Sequence, residues 1–319
     1  MEIKPDLSFY EGAFVEEQFS ETQIWQDIDS VGMFAEFKFA ASDDPFDDNS
    51  PGFERVSNQA RDTLGQICSY ATAHMAAQFR THVFSMLVFP RYARLLVWDR
   101  AGVTVTEKID LETSASVLAE FFWRYQNMSR AERGHDETVR TVSATEVEQV
   151  VPNALKLLGV DHSARLFEME FSGNEKFVIS APFYMGTASP TGRSTRTFKA
   201  LCMQTKKVVF LKDTWRVISD GLLPEDEIYT KLANAEVPYV ATVTAFDNVP
   251  GHLTRTHEFQ SESWVKFEGA RRLRRFQHYR LVLSQFARSI QLFKNVRELV
   301  QALRDALEGK KSFSVCGLS

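Results

Sequence analysis

The chain has 319 residues, a net charge of −5, 44% hydrophobic residues and 25% charged residues, which excludes wholesale disorder, collagen-like repeats and an overall basic footprint for nucleic acid. Its three widely spaced cysteines, Cys68, Cys202 and Cys316, exclude a disulfide framework and a paired-cysteine zinc site, and they point to a reducing intracellular compartment, cytoplasmic or nuclear. No apolar run approaches the ~20 residues of a membrane span, and the N-terminus has no signal core, so no membrane partner is expected.

Residues 1–40 read as short strands and turns, with 32–39 as a half-buried strand. The stretch 42–52 is acidic and rich in breakers, the pattern of a solvated loop. Residues 57–79 predict a helix, because Ala60, Leu64, Ile67, Cys68, Ala71 and Met75 share one face. Strands follow over 82–89, 92–98 and 103–109, the last two around an Asp99-Arg100-Ala101-Gly102 turn. A helix from about Ser114 carries Val117, Leu118, Phe121, Phe122 and Tyr125 as its core stripe, with Trp123 off it. Residues 129–143 read as a connection. A helix over 145–158 is interrupted by Pro152.

From Arg165 the pattern turns to β, over 166–171, 176–184, 197–203 and 207–212. A helix follows Pro224, then strands at 239–244 and 279–286. The chain closes on an amphipathic helix with Val296, Leu299, Val300, Leu303 and Leu307 in one stripe and Gly309 as its expected C-cap. The run Arg271-Arg272-Leu273-Arg274-Arg275 reads as a solvated strand flank, and His82 and His278 as strand-flank residues with no metal-ligand spacing. The fold class is therefore α+β: an N-terminal α/β domain over 1–145, a connecting helical segment over 146–164, and a β-rich second domain over 165–319.

Within the second domain, Val208-Val209-Phe210-Leu211-Lys212 puts a lysine at the end of an apolar strand, and Pro224-Glu225-Asp226-Glu227 opens the next helix. The turn Ser189-Pro190-Thr191-Gly192-Arg193-Ser194-Thr195-Arg196 lies between two upstream strands. A small-residue turn, a point charge and a carboxylate that holds that charge are the parts of a phosphate-gripping site.

The residues Phe210-Leu211-Lys212-Asp213-Thr214-Trp215-Arg216, Pro190-Thr191-Gly192-Arg193 and Glu225-Asp226-Glu227-Ile228 resemble the fungal-type protein kinase family. So do the upstream stretches from Phe89 to Gly102 and Phe122-Trp123-Arg124-Tyr125. The resemblance implies a protein-kinase-like small lobe (an antiparallel sheet plus one helix), with ATP and Mg²⁺ as cofactors and serine/threonine phosphotransfer as the activity. It implies that Lys212 pairs the ATP phosphates with Glu227 as its helix partner, Glu225 being the register alternative. It places Gly192 and Arg193 in the loop over the phosphates, and Ser284 to Phe286 in the hinge that binds adenine. The chain lacks H-R-D and D-F-G, so the resemblance is to the upstream region plus a small lobe truncated before the catalytic loop, a catalytically incomplete pseudokinase. The alternative is a non-catalytic interaction module, whose orphan small lobe presents an apolar face to an unidentified protein partner.

Asp6, after Pro5, stands thirty residues before Glu36-Phe37-Lys38, and an amphipathic helix follows. That order resembles the PD-(D/E)xK nuclease fold, which implies Asp6 and Glu36 as ligands of a divalent metal with Lys38 beside them. The acidic run 43–48 would repel a phosphate backbone, so a nucleic-acid partner is not expected.

Overall fold

The computed structural model describes residues 4–10, 30–186, 189–266, 273–287 and 289–315. The chain is α+β and divides into two units, each assembled from three segments. The first contains Met1–Glu137, Thr187–Ser194 and Leu253–Phe276, and the second Thr138–Gly186, Thr195–His252 and Gln277–Ser319. Where the sequence suggests consecutive domains, the structure has interleaved ones. The first break follows Glu137, the segment 146–164 belongs to the second unit, and two later segments return to the first.

The first unit is a mixed sheet ordered β1 (Leu7–Tyr10), β2 (Val31–Phe37), β3 (Val83–Val88), β4 (Tyr92–Trp98), β5 (Val103–Val105), with β6 (Ile109–Asp110) also on β4. β2 and β3 run parallel, so a crossover must join them, and α1 (Asn58–Ala77) is that crossover. It starts at Ser57, whose Oγ accepts the Ala60 N–H. Its Ile67, Tyr70, Ala71 and Met75 pack on Phe34, Leu87, Leu96 and Trp98. α2 (Ala115–Asn127) covers the other face, with Leu118, Phe121 and Phe122 packed on Ala35, Met86 and Leu95. Strand alternation sends Leu87 to one layer and Met86 to the other. Val117 is 48% exposed, because the stripe centres on the 118–121–122–125 side and leaves it at the margin.

The acidic loop is not solvated. Asp44 is fully buried and accepts from Arg94 Nε and Tyr92 Oη, both at 3.0 Å, while Asp48 takes Arg94 Nη1 at 2.8 Å. The Arg94 guanidinium sits 5.8 Å from the ring centroids of Phe46 and Phe53. A buried charge needs compensation, and the loop folds inward to supply it. Asp99 clamps another part of this unit. Its Oδ1 accepts the N–H groups of Ala101 and Gly102, and its Oδ2 those of Arg255 and Thr256.

In the second unit, β7 (Val139–Val142) forms where the sequence suggests only a connection. α3 (Ala144–Val150) and α4 (Ala154–Leu158) flank Pro152 as expected. The remaining elements are β8 (Leu166–Glu170), β9 (Lys176–Ile179), β10 (Tyr184–Met185), β11 (Arg196–Cys202), β12 (Val208–Val217), α5 (Glu225–Asn234), β13 (Val243–Leu253), β14 (Phe276–Leu283) and α6 (Val296–Val315). The sheet order is β13-β14-β12-β11-β9-β8-β7, with β10 on β11. β13 runs nine residues past the expected end at 244, through Pro250, which an edge strand tolerates.

Gly309 does not end α6 but lies inside it. A Cβ there would stand 3.0 Å from the Pro238 carbonyl oxygen, so the glycine permits close approach. Among the described residues, no helix is long and apolar enough to cross a membrane. Of the basic run 271–275, Arg271 and Arg272 lie outside the described residues, as does Cys316.

Candidate functional site

The alternation of β12 separates two kinds of chemistry. Val209, Leu211, Asp213 and Trp215 point to one face and are buried; Phe210 and Lys212 point to the other and are half-buried. α5 packs on the Lys212 face, where Tyr229 and Phe210 join a cluster with Tyr279, Leu281 and Leu283. This docking brings Lys212 Nζ to Glu225 Oε1 at 2.6 Å and Oε2 at 2.7 Å. The helix partner of Lys212 is therefore Glu225, not Glu227, which is exposed. The reason is helical phase. Glu225 and Tyr229 share a face at i and i+4, while Glu227 lies about 200° round from Glu225. Register sets Thr197 of β11 opposite Lys212, and its buried Oγ1 has no hydrogen-bond partner among the described residues. Sequence reasoning missed Thr197, which only strand register reveals.

The loop between β9 and β11 departs from expectation. Gly192 belongs to the first unit, and its N–H donates to the Arg100 carbonyl at 2.8 Å. That removes the donor a phosphate-cradling turn would offer. Arg193 belongs to the first unit with it. In the second unit, Gly186 N–H donates to the Thr195 carbonyl at 2.7 Å, and Thr195 Oγ1 lies 2.7 Å from Thr214 Oγ1.

At the expected hinge, the Ser284 N–H is used by the Thr242 carbonyl at 2.9 Å, which closes that donor to an adenine. Phe286 makes an edge contact with Phe183 at 5.6 Å, and Phe183 with Phe210 at 5.9 Å, so an aromatic trio lies next to Lys212 on its strand face.

Behind β12, Asp213 is 1% exposed and meets Arg196 Nη2 at 2.6 Å, His278 Nε2 at 2.6 Å and Arg280 Nε at 3.3 Å. Burial alone would raise its pKa. His278, Arg196 and Arg280 overcome this and hold it well below the ordinary carboxylate range. His278 is thus a core residue, 3% exposed and stacked on Trp215 at 4.8 Å, rather than a strand flank.

In the first unit the pairing Leu7↔Ala35 places Asp6 beside Glu36. Asp6 Oδ2 accepts the Phe37 N–H at 2.8 Å. Glu36 is 2% exposed; its Oε1 accepts from Lys38 Nζ at 2.7 Å, and its buried Oε2 has no partner among the described residues. Burial pushes the Glu36 carboxyl up despite Lys38, and the Asp6 charge adds to the rise. Gln66 and Tyr70, one turn apart on α1, complete the group. Gln66 Oε1 accepts from Lys38 at 2.8 Å, and Gln66 Nε2 donates to Tyr70 Oη at 2.7 Å. Sequence reasoning missed both, although their i,i+4 spacing toward the sheet was the available signal.

On α6, Val296, Val300, Leu303 and Leu307 form a stripe, each at least half exposed.

No curated protein and no solved structure matches this chain. Residues 53–317 match the family model described as fungal protein kinase. With most of its length inside that match, and a lysine–glutamate pair joining β12 to α5, the chain belongs to the fungal protein kinase family.

Proposed function

We propose that the second unit is a nucleotide-binding small lobe that takes ATP, with Mg²⁺ accompanying the phosphates, and that it does not transfer phosphate by itself. The Lys212–Glu225 pair carries this reading. A lysine held by a carboxylate keeps its ammonium in one place, ready as a point charge for phosphate oxygens. The unpartnered Thr197 hydroxyl on the opposite strand supplies a hydrogen-bonding group beside it. Mg²⁺ would neutralise phosphate charge, but the sequence contains no H-R-D or D-F-G segment to supply the base and the metal carboxylates. The occupied amide of Ser284 argues for modest affinity.

The test is calorimetric titration of the full chain with ATP, with and without Mg²⁺. Removing one charged hydrogen-bonding partner is worth about 1.5–3 kcal/mol, so Lys212→Ala should weaken binding about 10- to 150-fold. Glu225→Gln should weaken it less, and ATP hydrolysis should be absent throughout. Equal affinity in the parent and Lys212→Ala removes the assignment.

A second reading for the first unit is a divalent-cation site at Asp6 and Glu36 with metal-dependent nuclease chemistry, favoured by the unpartnered Glu36 Oε2. Mg²⁺ or Mn²⁺ should raise the melting temperature of the parent and not of Glu36→Gln, and only a metal-dependent nicking activity lost in Glu36→Gln would establish the chemistry. The non-catalytic interaction module finds its support in the exposed stripe of α6.

A further inference from the structure

The first unit contains a cavity of about 430 Å³ that neither reading uses. Its size suits a small organic ligand, since such pockets run from roughly 300 to 1,000 Å³. Three parts of the unit build it: the inward-folded acidic loop, β5 with the residues just after it, and residues 256–266 with Leu273, a stretch that Asp99 holds at its start.

Two features of the lining decide what fits. The first is aromatic. Phe46 and Phe53 stack at 5.1 Å and 21°, and Phe259 lies 5.7 Å from Trp264 at 45°. Trp264 is 53% exposed, a large apolar surface left open to solvent. The faces of Phe46 and Phe53 already hold one cation within the protein, the Arg94 guanidinium.

The second feature is charge. Asp48 lines the cavity but is bound to Arg94. Lys266 is the one ammonium in the lining among the described residues, and its Nζ donates to the Asp48 carbonyl. Glu54 and Glu107 also line the cavity, and neither has an ion-pair partner among the described residues. Among the described residues, the lining therefore keeps an excess of negative charge beside four aromatic rings. Aromatic faces attract cations through their quadrupole, more strongly as water is excluded, and they suit weakly hydrated quaternary ammonium groups best.

We propose that this cavity is a binding site for a compact organic cation, an ammonium or quaternary ammonium group carried on an apolar body. The apolar body packs against Val103, Val105 and Leu273, and the cation lies against Phe259 and Trp264, whose faces Arg94 does not occupy, with Glu54 and Glu107 in the same lining. The site is independent of the nucleotide reading, because none of its residues lies in the second unit.

The experiment titrates the full chain with benzyltrimethylammonium, with its uncharged tert-butyl isostere, and with phenylacetate, following Trp264 fluorescence and ligand-observed NMR. The expected result is binding of the cation at least tenfold tighter than of the isostere, with phenylacetate weaker still. Trp264→Ala and Glu54→Gln should each weaken the cation at least fivefold. Glu107 is exposed, so Glu107→Gln leaves the fold intact and tests the same charge if Glu54→Gln does not fold. Equal affinity for cation and isostere overturns the assignment of ligand class. Unchanged affinity in Trp264→Ala and Glu107→Gln overturns the assignment of the site. Tighter binding of a trimethyl-lysine peptide than of benzyltrimethylammonium would overturn the choice of a small molecule.

Discussion

Asp213→Asn tests the buried network behind β12. The substitution preserves shape and removes one negative charge facing two guanidinium groups and an imidazole, with Arg196, Arg280 and His278 at 8%, 0% and 3% side-chain exposure. Removing one member of a buried ion pair costs about 3–5 kcal/mol, because the surviving charge stays buried without compensation. Taking about 4 kcal/mol, the open population of the second unit should rise about a thousandfold. Its thermal transition should fall by roughly 10 °C, at about 2–4 °C per kcal/mol for a unit of this size. Amide hydrogen exchange is the assay. Exchange from β11, β12 and β14 should accelerate about a thousandfold, with the β3 and β4 amides as internal reference. The pH dependence follows from the sign of the shift. A carboxyl held below its unfolded pKa contributes stability above that ordinary value and loses it as pH falls through the depressed one. The parent should therefore keep this contribution at pH 5 and lose it only in strong acid. Protection of the β14 amides in Asp213→Asn within tenfold of the parent would refute the reasoning.

Two further predictions concern the first unit. Glu36 has its folded pKa raised by burial, so it favours the fold at low pH and opposes it as pH rises through that raised value. Glu36→Gln should therefore melt higher than the parent at pH 7.5 and no higher at pH 4; a lower melting point at pH 7.5 contradicts this. Cys68 has its thiol pushed up to about 11 by burial and the Glu54 charge, against a usual 9, so at pH 8 it holds about a hundredfold less thiolate. Iodoacetamide should label it about two orders of magnitude more slowly than a free peptide thiol, as read by mass spectrometry of its peptide.

The local patterns were legible in the sequence where one element decides them. Alternation in 208–212 placed Lys212 at a strand end, the i, i+3, i+4 stripe of 57–79 marked α1, and Pro152 separated α3 from α4. What depends on docking was not legible. Glu225 and Glu227 differ only in helical phase against the sheet, which becomes visible once Tyr229 is seen packing on it. Asp213 finds its partners 17, 65 and 67 residues away, and nothing local to His278 marks it as a core residue. The acidic loop misled in the same way, because its composition is that of a solvated segment until Arg94, 50 residues on from Asp44, draws it inward.

The Asp99 clamp bears on how the chain is synthesised and cut. Its second carboxylate oxygen waits for the N–H groups of Arg255 and Thr256, so the first unit is finished only after most of the second has left the ribosome. A nascent chain paused near residue 250 would hold a first unit whose sheet is complete but whose Asp99 Oδ2 is unsatisfied, a stage at which chaperone capture is expected. No single break separates the units either, because the chain crosses between them at 137, 186, 194, 252 and 276. A fragment ending at the apparent domain boundary would lack the 253–276 segment, so expression of the first unit alone calls for a graft of that segment rather than a truncation.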